Sequence, residues 1–195
     1  MERIKFQESC DSSVLRGSAF SEHIGLKGVY TAQCFDSQGN LKWEDTIDNT
    51  VMTLGKDVLL DAGLAGNSYS VIGPYMGLIS SVNYTTGPAV GDTMSSHSGW
   101  VEAGSASNFP LYTAPRKTCV WSASTGGAKA LTAALSFVCV TTGGIVKGCF
   151  IVYGTGAVST IADTNGVLFS AGTFTGGDKT IGVADTLQVN YTLNS

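Results

Sequence analysis

The sequence is poor in charged residues, histidine and proline. Of its 195 residues, only 13% are charged, two are histidine and four are proline, and the formal net charge is -4. The 43% of hydrophobic residues excludes a disordered polyelectrolyte, and the negative charge excludes a basic protein that binds nucleic acid. No hydrophobic run approaches the roughly 18 residues that predict a membrane-spanning helix. We therefore expect neither nucleic acid nor a membrane as a partner.

The few charges are unevenly distributed along the chain. Residues 1–60 hold six of the eleven Lys and Arg residues and nine of the fifteen Asp and Glu residues. The rest of the chain must keep its surface soluble with Ser, Thr, Asn and Gly, which is more typical of secreted or virion β-domains than of cytosolic enzymes. The segment that begins at Met1 is charged and lacks the apolar centre of a signal peptide, so we expect synthesis and folding in a cytosol.

Cysteine and histidine show no pattern of a metal site. The five cysteines are widely separated and form no C-x-x-C unit: Cys10, Cys34, Cys119, Cys139 and Cys149. This pattern predicts free and mostly buried thiols. Neither His23 nor His97 has a cysteine or a second histidine at the spacing of a zinc site. We therefore predict no metal and no cofactor.

Motifs that mark an enzyme are also missing. The chain has no G-x-S-x-G elbow, no Walker loop, no H-E-x-x-H and no dinucleotide fingerprint between a strand and a helix. The nearest candidate is the segment Asp92–Glu102, in which His97 and Glu102 could form a base and its orienting carboxylate. Because no nucleophile accompanies them, we favour a structural loop pinned by Trp100 and predict that the chain is not an enzyme.

Sequence patterns divide the chain into three parts. Residues 1–27 have no sustained period and are predicted to be an extended N-terminal arm, either a clasp around a neighbouring subunit or a frayed terminus. Residues 28–66 are predicted to form a β-hairpin, with Gly39 or Asn40 at the positive-φ position of its turn, followed by a helix that packs on the main domain. Residues 67–195 form the predicted main domain.

The helix signal follows the hairpin directly. Asp48 or Asn49 could cap the helix, and Gly66 could end it in a left-handed conformation. Gly55 weakens the helix propensity without removing the pattern. Apolar residues recur at three- or four-residue steps at Val51, Leu54, Val58 and Ala62. The apolar stripe expected to pack on a sheet or a partner consists of Val51, Leu54, Val58 and Leu59.

The main domain has the pattern of short strands separated by Gly, Asn, Thr and Pro. The predicted strands are Val71–Ile72, Tyr75–Ser81, Arg116–Ala123, Leu131–Thr141, Ile145–Tyr153, Val167–Ser170 and Thr186–Leu193. The last is the clearest, because apolar and polar residues alternate along it. This spacing and the long connection before Pro115 predict a mainly β fold, an antiparallel, jelly-roll-like β-sandwich with an N-terminal arm, a β-hairpin and one short α-helix.

Several residues suit contacts with a partner better than they suit catalysis. Trp43, at a predicted sheet edge, is the best anchor candidate, because Trp is enriched among interface hot spots. Arg116 could form a salt bridge with a partner subunit or with Glu102, or it could end a strand in solvent. The interface candidates are Trp43, Asp45, Ile47, His97, Trp100, Glu102 and Arg116.

The aromatic residues have two interpretations. Flat rings stack on the apolar faces of sugars and could line a surface that binds a glycan, although aromatics at this density are more typical of cores and interfaces. The rings concerned are Tyr69, Tyr75, Tyr84, Trp100, Phe109, Tyr112 and Trp121.

The order of five segments carries a resemblance to a known group of proteins. The segments are the helix Asn49–Asp61, the strand Tyr75–Ile79, the loop Gly91–Glu102, the strand start Arg116–Lys117 and the closing run Leu168–Leu187. Together they resemble the jelly-roll cement or decoration proteins of tailed-bacteriophage heads. The resemblance extends over roughly residues 28–193 and implies no catalytic residues.

This resemblance implies a bacteriophage virion structural protein that binds the major capsid protein shell and stabilises the head. It implies a homo-oligomer, a dimer or trimer, that is made in the bacterial host cytoplasm and located at the phage head surface. Folding in a reducing cytosol agrees with free cysteines. The alternative is a receptor- or carbohydrate-binding module of a head fibre or tail, with a surface glycan as partner, because β-sandwiches serve both roles.

Overall fold

The computed structural model describes residues 25–64 and 72–195. Most of the arm predicted for residues 1–27 lies outside the described residues, as do Cys10, His23, Gly66 and Tyr69. One helix, α1, spans Thr53–Leu64. The strands are β1 (Lys27–Phe35), β2 (Leu41–Asp48), β3 (Thr50–Val51), β4 (Tyr75–Ser80), β5 (Lys117–Thr118), β6 (Ala128–Ala130), β7 (Leu135–Val138), β8 (Gly144–Tyr153), β9 (Val167–Thr173), β10 (Lys179–Ile181) and β11 (Thr186–Asn194).

The strands form two antiparallel sheets. Sheet 1 has the order β2-β1-β11-β6, and β7 also pairs with β11. Sheet 2 has the order β3-β9-β8-β4-β5, and β10 also pairs with β8. The two sheets enclose the main core, which confirms the predicted mainly β fold class and the β-sandwich.

Strict alternation along the strands explains how sheet 1 faces the core. Tyr30 on β1 lies opposite Tyr191 on β11, and both side chains are fully buried. Their outward neighbours Thr31 and Asn190 also lie opposite each other. Because successive side chains of a strand point to opposite faces, this register gives sheet 1 one apolar face and one polar face.

The predicted hairpin is confirmed, but it is not an appended unit. Its turn has Gly39 at a φ of 85°, and Asp36 accepts hydrogen bonds from the backbone N–H groups of Gln38 and Asn40. β1 lies between β2 and β11 in sheet 1. The division predicted at residue 66 therefore does not separate two packing units, because the first described strand pairs with the last.

The helix begins later than the sequence pattern predicts. Val51 belongs to β3, where it pairs with Ser170 of β9. The predicted caps, Asp48 and Asn49, therefore precede the helix, and the Met52 carbonyl accepts its first bond, from the Lys56 N–H at 3.0 Å. Pairing with sheet 2 thus determines where the helix starts.

Gly55 is the contact point between the helix and sheet 2. It is the only buried residue of α1. A Cβ atom at this position would lie 2.8 Å from the backbone oxygen of Phe169. The hydroxyl of Tyr153 donates a hydrogen bond to the Gly55 carbonyl at 3.1 Å. The glycine that weakens the helix propensity therefore allows the helix to approach the sheet closely.

Several predicted strands differ from the observed ones. Only Lys117–Thr118 of the predicted strand Arg116–Ala123 pairs as a strand, and Ile72 is not in one. The patterns did not predict β6 or β10, which have three residues each. Strands this short are determined by the partner strand that they contact, and this information is not local in sequence.

The described thiols are free and buried, as predicted. They belong to Cys34, Cys119, Cys139 and Cys149. Burial raises the pKa of Cys119 to about 12, so this thiol stays protonated and unreactive at neutral pH. Within residues 25–64 and 72–195, no helix has the length and hydropathy needed to cross a membrane, and no cluster of three or more His, Cys, Asp or Glu side chains could hold a metal ion.

Candidate interaction surfaces

A buried ion pair organises the long connection between β4 and β5. Arg116 Nε donates to Glu102 Oε1 at 2.8 Å, and Arg116 Nη2 donates to Glu102 Oε2 at 2.7 Å. The guanidinium also donates to the backbone oxygens of Val158 and Asp163 at 3.2 and 2.7 Å. The same group lies over the ring of Phe150, 5.4 Å from its centroid. One side chain thus joins the β4–β5 connection to the β8–β9 connection and to sheet 2.

His97 and Trp100 lie against this ion pair. The two rings stack at 3.9 Å, and His97 Nδ1 lies 3.1 Å from the Trp100 carbonyl oxygen. Trp100 Nε1 donates to Asp92 Oδ2 at 2.9 Å, which closes the loop. A cavity of about 160 Å³ lies among His97, Trp100, Glu102 and Arg116.

The structure therefore brings together four residues that the sequence placed in one interface set. Of the three alternatives for Arg116, the structure shows the pair with Glu102. Arg116, Glu102 and Trp100 are all buried, so they support the loop from inside and cannot contact a partner directly. In the described part of the chain no hydrogen bond joins His97 to Glu102, and the base-and-orienter arrangement is not formed.

The other three interface candidates lie on edge strand β2. Ile47 is fully buried, and Trp43 is half-buried. Trp43 Nε1 donates to the Thr180 carbonyl at 2.9 Å, and its ring meets Phe174 edge-on at 5.6 Å. Trp43 therefore lies at a sheet edge, as predicted, but most of its contacts close the gap between β2 of sheet 1 and β10 of sheet 2.

Asp45 joins the same edge to the turn before β10. Its carboxylate forms a salt bridge with Lys179 at 2.8 Å and accepts hydrogen bonds from the Thr175 hydroxyl and the Gly176 N–H, each at 2.9 Å. Burial raises the pKa of Asp45, but the hydrogen bond from Lys179 and those from neighbouring donors outweigh it and lower the pKa to about 2. This carboxylate therefore stabilises the contact between β2 and the turn before β10.

The aromatic residues within the described ranges do not form a flat, exposed platform. Trp100 and Tyr112 are buried, and Tyr112 packs edge-on against Phe137 at 5.1 Å. Trp121 packs edge-on against Tyr191 at 5.8 Å. Phe109 is the one exposed ring of the described set, at 37%. The aromatics serve the core, and a stacking surface for sugars is not formed by them.

The largest apolar exposure belongs to α1. Leu54 is 45% exposed, Leu60 50% and Leu64 83%. Leu60 and Leu64 are four residues apart and share one face of the helix, opposite the buried Gly55. We call the surface formed by Leu60 and Leu64 the leucine face. The exposed carboxylates of Asp57 and Asp61 adjoin it, and Leu54 lies about 120° from Leu60 around the helix.

Beside the helix lies an apolar groove of about 190 Å³. Leu59 forms its helical wall, and Tyr153 and Phe169 form the wall from sheet 2. Trp121 and Leu193 complete it on the side of sheet 1. The groove and the leucine face thus place apolar surface on two sides of α1.

The sequence held a signal for this surface that the periodicity did not capture. Val58, Leu59 and Leu60 are consecutive, and consecutive helical residues point about 100° apart, so one packed face cannot cover all three. The predicted stripe assigned Val58 to packing, and it is half-buried. The stripe also assigned Leu54 and Leu59 to packing, but they are 45% and 38% exposed, so this part of the prediction is wrong.

No family model, curated protein or solved structure matches this chain, so the fold and the surfaces described above are the basis for its function.

Proposed function

We propose that the chain is a bacteriophage virion structural protein, a cement or decoration protein that binds the major capsid protein shell and stabilises the head. The observation that carries this proposal is the leucine face of α1. Soluble monomers rarely leave neighbouring large apolar side chains exposed unless a partner covers them. Here they lie on the only helix of the described chain, on the side opposite the buried Gly55 that packs on sheet 2.

The low charge of the chain supports a contact of this type. Interface centres are depleted in charged residues, and a stable contact needs about 800 Å² on each partner. The exposed leucines and the apolar groove supply the centre of such a patch. Repetition by capsid symmetry multiplies a modest contact over many copies.

Two buried or half-buried ion pairs of the chain stabilise the fold. Glu102 and Arg116 satisfy each other inside the connection between β4 and β5. Asp45 and Lys179 join the two sheets at an edge. A protein that resists the pressure of packaged DNA needs such cross-links and needs no reactive group. This internal use of its charges supports a mechanical role for the chain.

The direct experiment measures binding to phage heads that lack this chain. Purified wild-type chain is mixed with such heads, and the bound fraction after sedimentation gives the affinity. Leu60→Glu should weaken binding by about tenfold or more, because it removes apolar burial and places a charge in the contact. The mass of the free chain in solution tests the proposed dimer or trimer in the same preparation.

Leu41→Glu is the matched control for this variant. Leu41 and Leu60 are both 50% exposed, but Leu41 lies at the start of β2, away from the helix. Its replacement should leave head binding unchanged. Equal binding by wild type and folded Leu60→Glu, or equal losses in both variants, would contradict the assignment of the leucine face.

A further inference from the structure

A second surface, on the outer face of sheet 1, has the opposite character. A depression of about 410 Å³ lies over β2, β1 and β11, and this volume falls within the range of small-molecule sites. Besides Asp45, its polar lining side chains come from three strands and are Thr31, Gln33, Glu44, Thr46, Gln188 and Asn190.

The sheet register places these six side chains on a regular grid. One row crosses the strands as Thr46, Thr31 and Asn190, and the other as Glu44, Gln33 and Gln188. Strands are spaced by about 4.8 Å, and the rows, two residues apart along each strand, by about 7 Å. Hydrogen-bonding groups therefore cover an area comparable to a sugar ring and its hydroxyls.

Most of these groups have no partner within the described chain. The side chains of Gln188, Thr31 and Thr46 form no hydrogen bonds there, although Gln188 is half-buried. Asn190 Oδ1 accepts from the Tyr191 N–H at 2.8 Å, which fixes the amide and leaves its two N–H donors available. Gln33 Nε2 donates to Glu44 Oε2 at 3.2 Å and leaves the Gln33 carbonyl as an acceptor.

The charge of the lining selects the class of ligand. No Lys, Arg or His lines the depression, so it has no positive charge that could bind a phosphate, a sulfate or a uronic acid. Of its two carboxylates, Asp45 is already paired with Lys179, and only Glu44 is without a cation. No aromatic ring lines it either, so a ligand must be held by hydrogen bonds. Amides next to hydroxyls offer both donors and acceptors, as sugar hydroxyls do.

We propose that this depression binds a short stretch of a neutral polysaccharide through the amides of Gln33, Gln188 and Asn190. The site lies on sheet 1, whereas the leucine face lies on the helix that packs on sheet 2. A chain attached through its helix could therefore present the polar face to a glycan at the same time. The glycan site does not depend on the virion role, and either can fail alone.

Titration of the isotope-labelled chain, followed by amide NMR shifts, tests this site. The probes are maltohexaose, cellohexaose, mannohexaose and N-acetylchitohexaose, with hexagalacturonic acid as the anionic probe. At least one neutral probe should bind with a dissociation constant in the range of about 0.1–10 mM, because stacking is absent. The shifts should be confined to residues 31–33, 44–46 and 188–190, and the anionic probe should bind more weakly.

Two asparagine variants on β11 test whether binding depends on the depression itself or on any polar side chain of this face. Asn190→Ala removes the two amide donors and should weaken binding of the same probe by about tenfold. Asn194→Ala, on the same outward side of β11 but outside the depression, should leave it unchanged. No shift with any neutral probe at about 10 mM, unchanged binding by Asn190→Ala, or tighter binding of hexagalacturonic acid would each overturn the proposal.

Discussion

Replacement of Arg116 by methionine tests how the long connection between β4 and β5 is held. Arg116 is 1% exposed and donates two hydrogen bonds to Glu102 and one each to two backbone oxygens. Methionine fills part of the volume but leaves Glu102 as a buried carboxylate whose remaining donor is the Ala162 N–H, at 2.7 Å. The variant therefore isolates the cost of an unpaired buried charge.

The magnitude follows from these contacts. Removing one partner of a buried ion pair costs about 3–5 kcal/mol. The loss of donors to the Val158 and Asp163 carbonyls adds to this cost, so we expect the free energy of unfolding of Arg116→Met to fall by at least about 4 kcal/mol. This is a large part of the ~5–15 kcal/mol by which a domain is stable.

Urea unfolding, followed by the fluorescence of the three tryptophans, measures this loss. The double variant Glu102→Leu/Arg116→Met removes both charges and should recover a substantial part of it, because no carboxylate is left unpaired. A loss below about 1 kcal/mol in Arg116→Met, or a double variant as unstable as the sum of the two single variants, would refute the reasoning that a buried pair holds this connection.

Two further predictions concern the sheet edge and the helix. Asp45→Asn should lower the free energy of unfolding by about 2 kcal/mol at neutral pH. The pKa of Asp45 is lowered to about 2 in the fold. The stabilisation by the charged carboxylate is therefore present above about pH 4 and is lost as the pH falls toward 2. Urea unfolding at pH 7 and pH 2.5 should thus show the gap between wild type and variant shrinking in acid, and a constant gap would contradict the role of Lys179. Gly55→Ala should destabilise the fold by about 1–3 kcal/mol, because its Cβ would lie 2.8 Å from a backbone oxygen. Gly63→Ala has open space around its Cβ and should stabilise the fold by up to about 1 kcal/mol. Thermal melting compares the two variants, and equal shifts of the melting temperature would exclude a packing role for Gly55.

Features set by neighbouring residues could be predicted from the sequence. The turn at Gly39 follows from a glycine between two runs of β-branched and aromatic residues. The buried face of β11 follows from alternation between Thr186 and Leu193. Burial of widely spaced cysteines follows from their number and from the lack of paired motifs. For the turn and the strand, the physical cause lies within about ten residues of its effect.

Features set by distant pairing could not be predicted in this way. The helix begins at Thr53 because Thr50 and Val51 pair with β9, more than 100 residues away in the chain. Local capping signals at Asp48 and Asn49 compete with that pairing and lose, since a strand that completes a sheet gains ladder hydrogen bonds and burial together.

The candidate surfaces also differ in whether local sequence or distant pairing determines them. Sequence reasoning placed Glu102 and Arg116 in one set, but only the fold shows that they neutralise each other inside the chain. The polar depression could not be predicted, because its two rows join residues near 31 and 44 to residues near 190. Only the exposure of Leu60 was accessible from the sequence, since Val58, Leu59 and Leu60 are consecutive and cannot all be covered by one sheet.

The central claim is that this chain is a structural component of a phage head. Quantitative mass spectrometry of purified virions from the phage that encodes it tests this claim most directly. Decoration of the whole shell requires a copy number that approaches that of the major capsid protein, and this is the expected result. A handful of copies per particle would place the chain in the tail or fibres, and its absence from the particle would contradict the virion role.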